Sequence, residues 1–117
     1  MDIKKWFEDG TGLKIKELRY LAPTSLPFNI FVDDEVYTGS DLQNNLVEHN
    51  IVIEHYSENA NDEDEKLIED FLNKEHKKFD KEREWLNDEK MFITVYTLNP
   101  FLEKIRKENK ENGKKND

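Results

Sequence analysis

The run Met91-Phe92-Ile93-Thr94-Val95-Tyr96-Thr97-Leu98 constrains this chain more than any other segment. It is rich in β-branched and aromatic residues, which suits a strand, and apolar side chains fall on both of its faces. A strand of that kind is predicted to be central in its sheet, with a neighbour on each side. The rest of the chain must supply those neighbours and a cover.

Candidate neighbours lie on both sides of it in sequence. Phe28-Asn29-Ile30-Phe31-Val32 reads as a strand, Asp33-Asp34-Glu35 as an acidic turn, and Val36-Tyr37 as an antiparallel return before Gly39-Ser40-Asp41 interrupts. From Leu46 to Ser57 the alternation predicts one long strand, with Ile51 and Ile53 on one face and Val52, Glu54 and Tyr56 on the other. Leu13 to Tyr20 also alternates, Leu13 and Ile15 against Lys14 and Lys16, until the phase slips after Leu18. Lys81 to Leu86 supplies a further strand, joined to the central one by a turn at Asn87-Asp88-Glu89. Ala22-Pro23-Thr24-Ser25-Leu26-Pro27 is expected to be a loop, because its prolines disfavour a helix.

Three helices are expected. Ile3, Trp6 and Phe7 share one side of a short opening helix, which Asp9-Gly10-Thr11-Gly12 breaks because glycine tolerates backbone angles that other residues avoid. Asp62 is a good N-cap, and Glu63, Asp64 and Glu65 complement the helix dipole. Leu67, Ile68, Phe71, Leu72, His76 and Phe79 then form an apolar stripe, which predicts a helix from Asp62 to Phe79. Asn99 and Pro100 read as the start of a last helix, with Phe101, Leu102 and Ile105 on its apolar face. The expected fold class is α+β in the order α-β-β-β-α-β-β-α. It would be an antiparallel-dominated mixed sheet packed against helices on one face. Residues 1–107 are expected to form a single domain, and residues 108–117, which hold no apolar side chain, a disordered basic and polar tail.

Composition narrows the function classes. With 18 Lys and Arg against 27 Asp and Glu, the 117 residues carry a net charge of −9. Residues 101–117 contribute 6 positive and 4 negative charges, so the remaining body stands at −11. Such a body repels a phosphate backbone and disfavours a general nucleic-acid binder. No cysteine is present, which removes disulfides, thiolate metal sites and a cysteine nucleophile. The N-terminal lysines are followed by no apolar run, and nowhere do 18 apolar residues follow one another. The expectation is a soluble, single-domain protein made in a cytoplasm, without signal peptide or membrane span.

The motif search yields no catalytic, cofactor or metal residues. Asp33-Asp34-Glu35 fails as a calcium loop, since Tyr37 stands where an oxygen ligand is wanted and Asn44 replaces the bidentate glutamate. Asp62-Glu63-Asp64-Glu65 is explained by capping and dipole. His49 and His55 share a face of the proposed long strand but stand roughly 20 Å apart, too far for one metal. They and His76 read as ordinary surface or core-edge residues. Ser40, Asp41 and His49 lack the strained turn of a nucleophile elbow. The glycines at 10, 12, 39 and 113 form neither a phosphate loop nor a dinucleotide fingerprint.

Several stretches in order carry a resemblance. They are the opening helix with Trp6, Gly12-Leu13-Lys14-Ile15, Pro23-Thr24-Ser25-Leu26-Pro27-Phe28, Gly39-Ser40-Asp41 and Val52-Ile53-Glu54-His55-Tyr56-Ser57. After the helix beginning at Asp62 come Lys81-Glu82-Arg83-Glu84-Trp85-Leu86 and Glu89-Lys90-Met91-Phe92-Ile93-Thr94-Val95-Tyr96. Over residues 1–107 the chain resembles small tail-terminator or tail-completion proteins of siphophages and prophages of Gram-positive bacteria. The resemblance implies a structural, non-enzymatic protein without cofactors. It would form a ring, a homo-hexamer, at the head-proximal end of the tail tube or at the head–tail joint. Its partners would be itself, the tail tube and the head–tail connector, with phage DNA passing through the ring and no membrane. It would be found in the host cytoplasm during assembly and afterwards in the virion. The Pro23–Pro27 loop and Gly39-Ser40-Asp41 are candidate assembly contacts, and ring formation would bury Phe31, Tyr37 or Phe101. The basic tail after Arg106 departs from the family pattern. The alternative from another class is an acidic, prophage-encoded inhibitor that mimics nucleic acid, kept open by the −11 body.

Overall fold

The computed structural model describes residues 1–17, 25–39 and 45–105. Its elements are α1 (Ile3–Thr11), β1 (Lys16–Glu17), β2 (Phe28–Asp33), β3 (Val36–Gly39), β4 (Asn45–His49), β5 (Ile51–Ser57), α2 (Glu63–Lys74), β6 (Phe79–Leu86), β7 (Met91–Leu98) and β8 (Phe101–Ile105). The class is α+β. A five-stranded mixed sheet, β1-β2-β5-β7-β6, forms the body, and a three-stranded antiparallel sheet, β3-β4-β8, forms an arm. Among the described residues, only β1 and β2 run parallel. Strand β7 is interior to the body sheet, paired with β5 and β6, as its two apolar faces require.

Both helices cover one face of the body sheet. Phe31, Ile53 and Tyr96 lie in one register row, and with Ile51 and Leu98 they meet Ile3 and Phe7 of α1 and Ile68, Phe71 and Leu72 of α2. The helix stripe is Glu65, Ile68, Phe71 and Leu72, while Leu67 points to solvent. The inward residues of β7 are Thr94, Tyr96 and Leu98, so Ile93 and Val95 stand on the opposite, open face. Gly10 does not break α1 but belongs to it; the left-handed cap is Gly12, at φ 78°. The Leu26–Pro27 peptide is cis.

Helix α2 is shorter than expected. Asp62 caps it through a hydrogen bond from the Glu65 amide, but the helix stops at Lys74. His76 takes a positive φ of 57°, and the amide of Lys77 closes back on the Leu72 carbonyl. That leaves His76 exposed rather than in the stripe, and Phe79 opens β6. The long strand over Leu46–Ser57 is split at Asn50 into β4 and β5, with its side-chain alternation preserved. Of the strand expected over Leu13–Tyr20, Lys16 and Glu17 form β1, while Leu18, Arg19 and Tyr20 lie outside the described residues.

The last helix is absent: Phe101–Ile105 is strand β8, paired residue for residue with β4. The alternation of Phe101, Glu103 and Ile105 against Leu102 and Lys104 gives a strand its two faces, and β4 offers an open edge for it. Asn99 and Pro100 form the joint between β7 and β8, with the Asn99 amide bonded to the Lys78 carbonyl. The element order is therefore α-β-β-β-β-β-α-β-β-β. Residues 108–117, expected to be a tail, lie outside the described residues. Since β2 leads into β3, β4 into β5 and β7 into β8, the arm continues the ribbon of the body, and the principal extents are 55 × 28 × 23 Å.

Candidate functional site

The joint between arm and body is built on His49. Its ring is fully buried at the end of β4 and stacks on Phe101 of β8 at 5.0 Å, while Lys77 sits 3.6 Å from the Phe101 ring centre. Asp33, at the end of β2, places a carboxylate oxygen 2.5 Å from Nδ1, and Glu103 of β8 places one 2.7 Å from Nε2. The other Asp33 oxygen accepts the Asn50 amide, and Glu103 also meets the N-terminal amine at 3.3 Å. Burial disfavours charge on His49, but the two carboxylates outweigh it and hold the imidazole above its ordinary range. The His49 ring holds Glu103 below the usual carboxylate range. The His49 ring thus ties the last residue of β2 to β4 and to the edge strand β8 of the arm.

His55 is fully buried on the same face, farther along the ribbon. Its Nδ1 contacts Asn29 at 2.6 Å and its Nε2 contacts Asp62 at 2.8 Å, so it braces β2, β5 and the cap of α2. The two histidines are structural core groups, which corrects the reading of them as surface or edge residues. His49 with Asp33 and Glu35, and His55 with Asp62 and Asp64, could each present three ligand atoms to a cation. In both places the imidazole is already held by a carboxylate. Ser40 and Asp41 lie outside the described residues.

A third polar cluster lies under α2. The Glu65 carboxylate is buried against β6 and β7, where Arg83, Lys81 at 3.1 Å and the Thr94 hydroxyl at 3.2 Å reach it. Burial pushes Glu65 up, but those partners and the Asn61 amide prevail and hold it below its ordinary value. No sequence motif announced this cluster. The sequence reading puts Glu65 in the first turn as a partner of the helix dipole; the i, i+3, i+7 spacing of Glu65, Ile68 and Leu72 is the signal that could have placed it on the buried stripe.

The outer surfaces differ from one end to the other. On the open face of the body, Val95 sits between Glu54 and Glu82, and Ile93 between Tyr56 and Glu84. Ile93, Val95, Glu82, Glu84 and Arg83 line a hollow of about 530 Å³ with an apolar floor and an acidic wall. On the arm, the same face carries Val36, Leu46, Leu102 and Lys104. Leu102 is 61% exposed and Tyr37, on the other face, 63%. Of the three aromatics expected at an interface, Phe31 is instead core, Phe101 is half-buried at the joint and Tyr37 alone is freely exposed. The assembly candidates around Pro23 and at Ser40-Asp41 fall outside the described residues; Pro27 is exposed and Gly39 closes β3.

No helix among the described residues is long and apolar enough to cross a membrane. No family model matches the chain, and no curated protein matches it.

Proposed function

We propose that this chain is a structural subunit of phage assembly, similar to a tail-terminator or tail-completion protein that forms a ring at the head-proximal end of the tail. The observation that carries this reading is the arm. A three-stranded sheet with exposed Val36, Tyr37 and Leu102 extends the body ribbon, and apolar side chains held in that way suit burial against another subunit. The buried polar groups brace elements against one another, as a rigid building block needs. On this reading the subunits form a hexamer that meets the tail tube on one side and the head–tail connector on the other, with no catalytic step. Deleting the gene from a phage genome that carries it should leave filled heads and tails that fail to join or overrun their length. Infectious particles of normal form after deletion would overturn the reading.

A further inference from the structure

We propose that the acidic hollow over Ile93 and Val95 is the socket for strand β8 of a second copy of this chain. Leu102 of the incoming arm would seat on Ile93 and Val95, and Lys104 would lie between Glu82 and Glu84. The ring closure depends on the function proposed above, but the contact itself stands on the surfaces.

The two surfaces match in chemistry and spacing. Leu102 and Lys104 are two residues apart on one strand face, as are Glu82 and Glu84 on β6 and Ile93 and Val95 on β7. One surface presents an exposed leucine with Lys104 two residues on along its strand and Glu48, which accepts from the Asn50 side chain, across from it on β4; the other offers an apolar floor walled by two exposed carboxylates. Lys81 and Arg83, which alternate with those carboxylates, carry their charged ends inward onto Glu65; Arg83 still contributes to the lining, but the two exposed carboxylates outnumber it and the wall stays acidic. Face-to-face pairing of two sockets would set Glu82 and Glu84 against their own copies, which like-charge repulsion opposes.

A chain cannot fill its own socket. Ile93 and Leu102 lie nine residues apart along the β7–β8 run, roughly 30 Å when extended, and folding β8 back would strip it from β4. The contact is therefore heterologous, and it closes into a ring when the rotation per subunit divides a full turn. Light scattering on the purified full chain tests it, with Leu102→Asp as the arm variant and Glu82→Lys with Glu84→Lys as the socket variant. Each should raise the concentration needed for assembly by about a hundredfold, the loss expected for a central contact, while the circular-dichroism melt stays unchanged. The two variants mixed should form a 1:1 dimer, because each retains one working surface. Adding Lys104→Glu to the socket variant should restore assembly. An unchanged mass for either variant would overturn the contact while leaving the ring reading intact; a wild-type chain that stays monomeric at high concentration would overturn the contact and count against the ring as well. An open filament with the same variant pattern would keep the contact and defeat the ring.

Discussion

A methyl group on the Cα of Gly10 would stand 2.1 Å from Cε1 of Phe71, so α1 crosses α2 where only glycine fits. The ring cannot easily retreat, since Trp6 lies 4.6 Å from it and Phe7 6.0 Å, centre to centre. Gly10→Ala gains up to about 1 kcal/mol in helix propensity. Overpacking costs about 1–3 kcal/mol. The clash should win, leaving a net loss of about 1–2 kcal/mol in urea unfolding. In a Phe71→Leu background the penalty should disappear. A stabilised Gly10→Ala protein would show that the helices slide apart at little cost.

His49 gives stability a particular pH dependence. Its folded-state pKa is raised because Asp33 and Glu103 favour the imidazolium over the opposing effect of burial. The stabilisation is then fully present below the unfolded value of about 6.5 and is lost as pH rises through the folded value. An NMR titration of the His49 ring should show a midpoint above that of a free histidine, and the thermal midpoint should fall over the same interval. His49→Gln should flatten that fall. A ring titrating at or below the free value would contradict the clasp.

Much of the body was legible because its signals are local. The two apolar faces of Met91–Leu98 require an interior strand, Asp62 begins a helix wherever it is followed by such a stripe, and the alternation through Ile51 and Ile53 persists across the break at Asn50. The arm was not legible for the same reason. Asn99-Pro100 looks like a helix start to any local reading, and five residues are too few for period two to outvote it. What decides Phe101–Ile105 is the unpaired edge of β4, more than 50 residues earlier in the chain. The histidines failed similarly: the partners of His49 stand 16 and 54 residues away, so nothing beside it in sequence marks it as buried. Leu67 was assigned inward because leucine is apolar, whereas the inward turn is taken by Glu65, whose charge is met by Arg83 and Lys81 of β6.

Glu65→Gln tests that inversion. Removing one side of a fully buried ion pair costs about 3–5 kcal/mol. Lys81 keeps its pair with Glu69 at 2.6 Å, and Arg83, with its side chain 24% accessible, is relieved by solvent once unpaired. The expected loss is about 2–3 kcal/mol in chemical unfolding. Because the folded-state pKa of Glu65 lies below its ordinary value, its contribution is present above the unfolded pKa and lost as pH falls through the folded one. The variant should therefore differ most from the wild type near neutrality and converge with it in acid. Equal stability at neutral pH would mean that the network is neutral overall.

Two truncations separate the arm strand from the residues that follow it. Residues 108–117 hold no apolar side chain, so removing them takes no apolar side chain from the protein. The thermal midpoint should stay within roughly 2 °C, the range of surface changes away from packed features. Truncation before Phe101 also removes β8. It unpairs five positions of β4, strips the ring that stacks on His49 and deletes Glu103 from Nε2. Val47, buried within the arm, loses its strand neighbour as well. The combined loss should exceed about 3 kcal/mol and lower the midpoint by more than about 10 °C. The His49 titration should then shift toward that of a free histidine, since one of its two carboxylates is gone. If both truncations melt alike, β8 contributes no stability to the isolated chain, and its pairing with β4 would have to be secured by a neighbouring subunit.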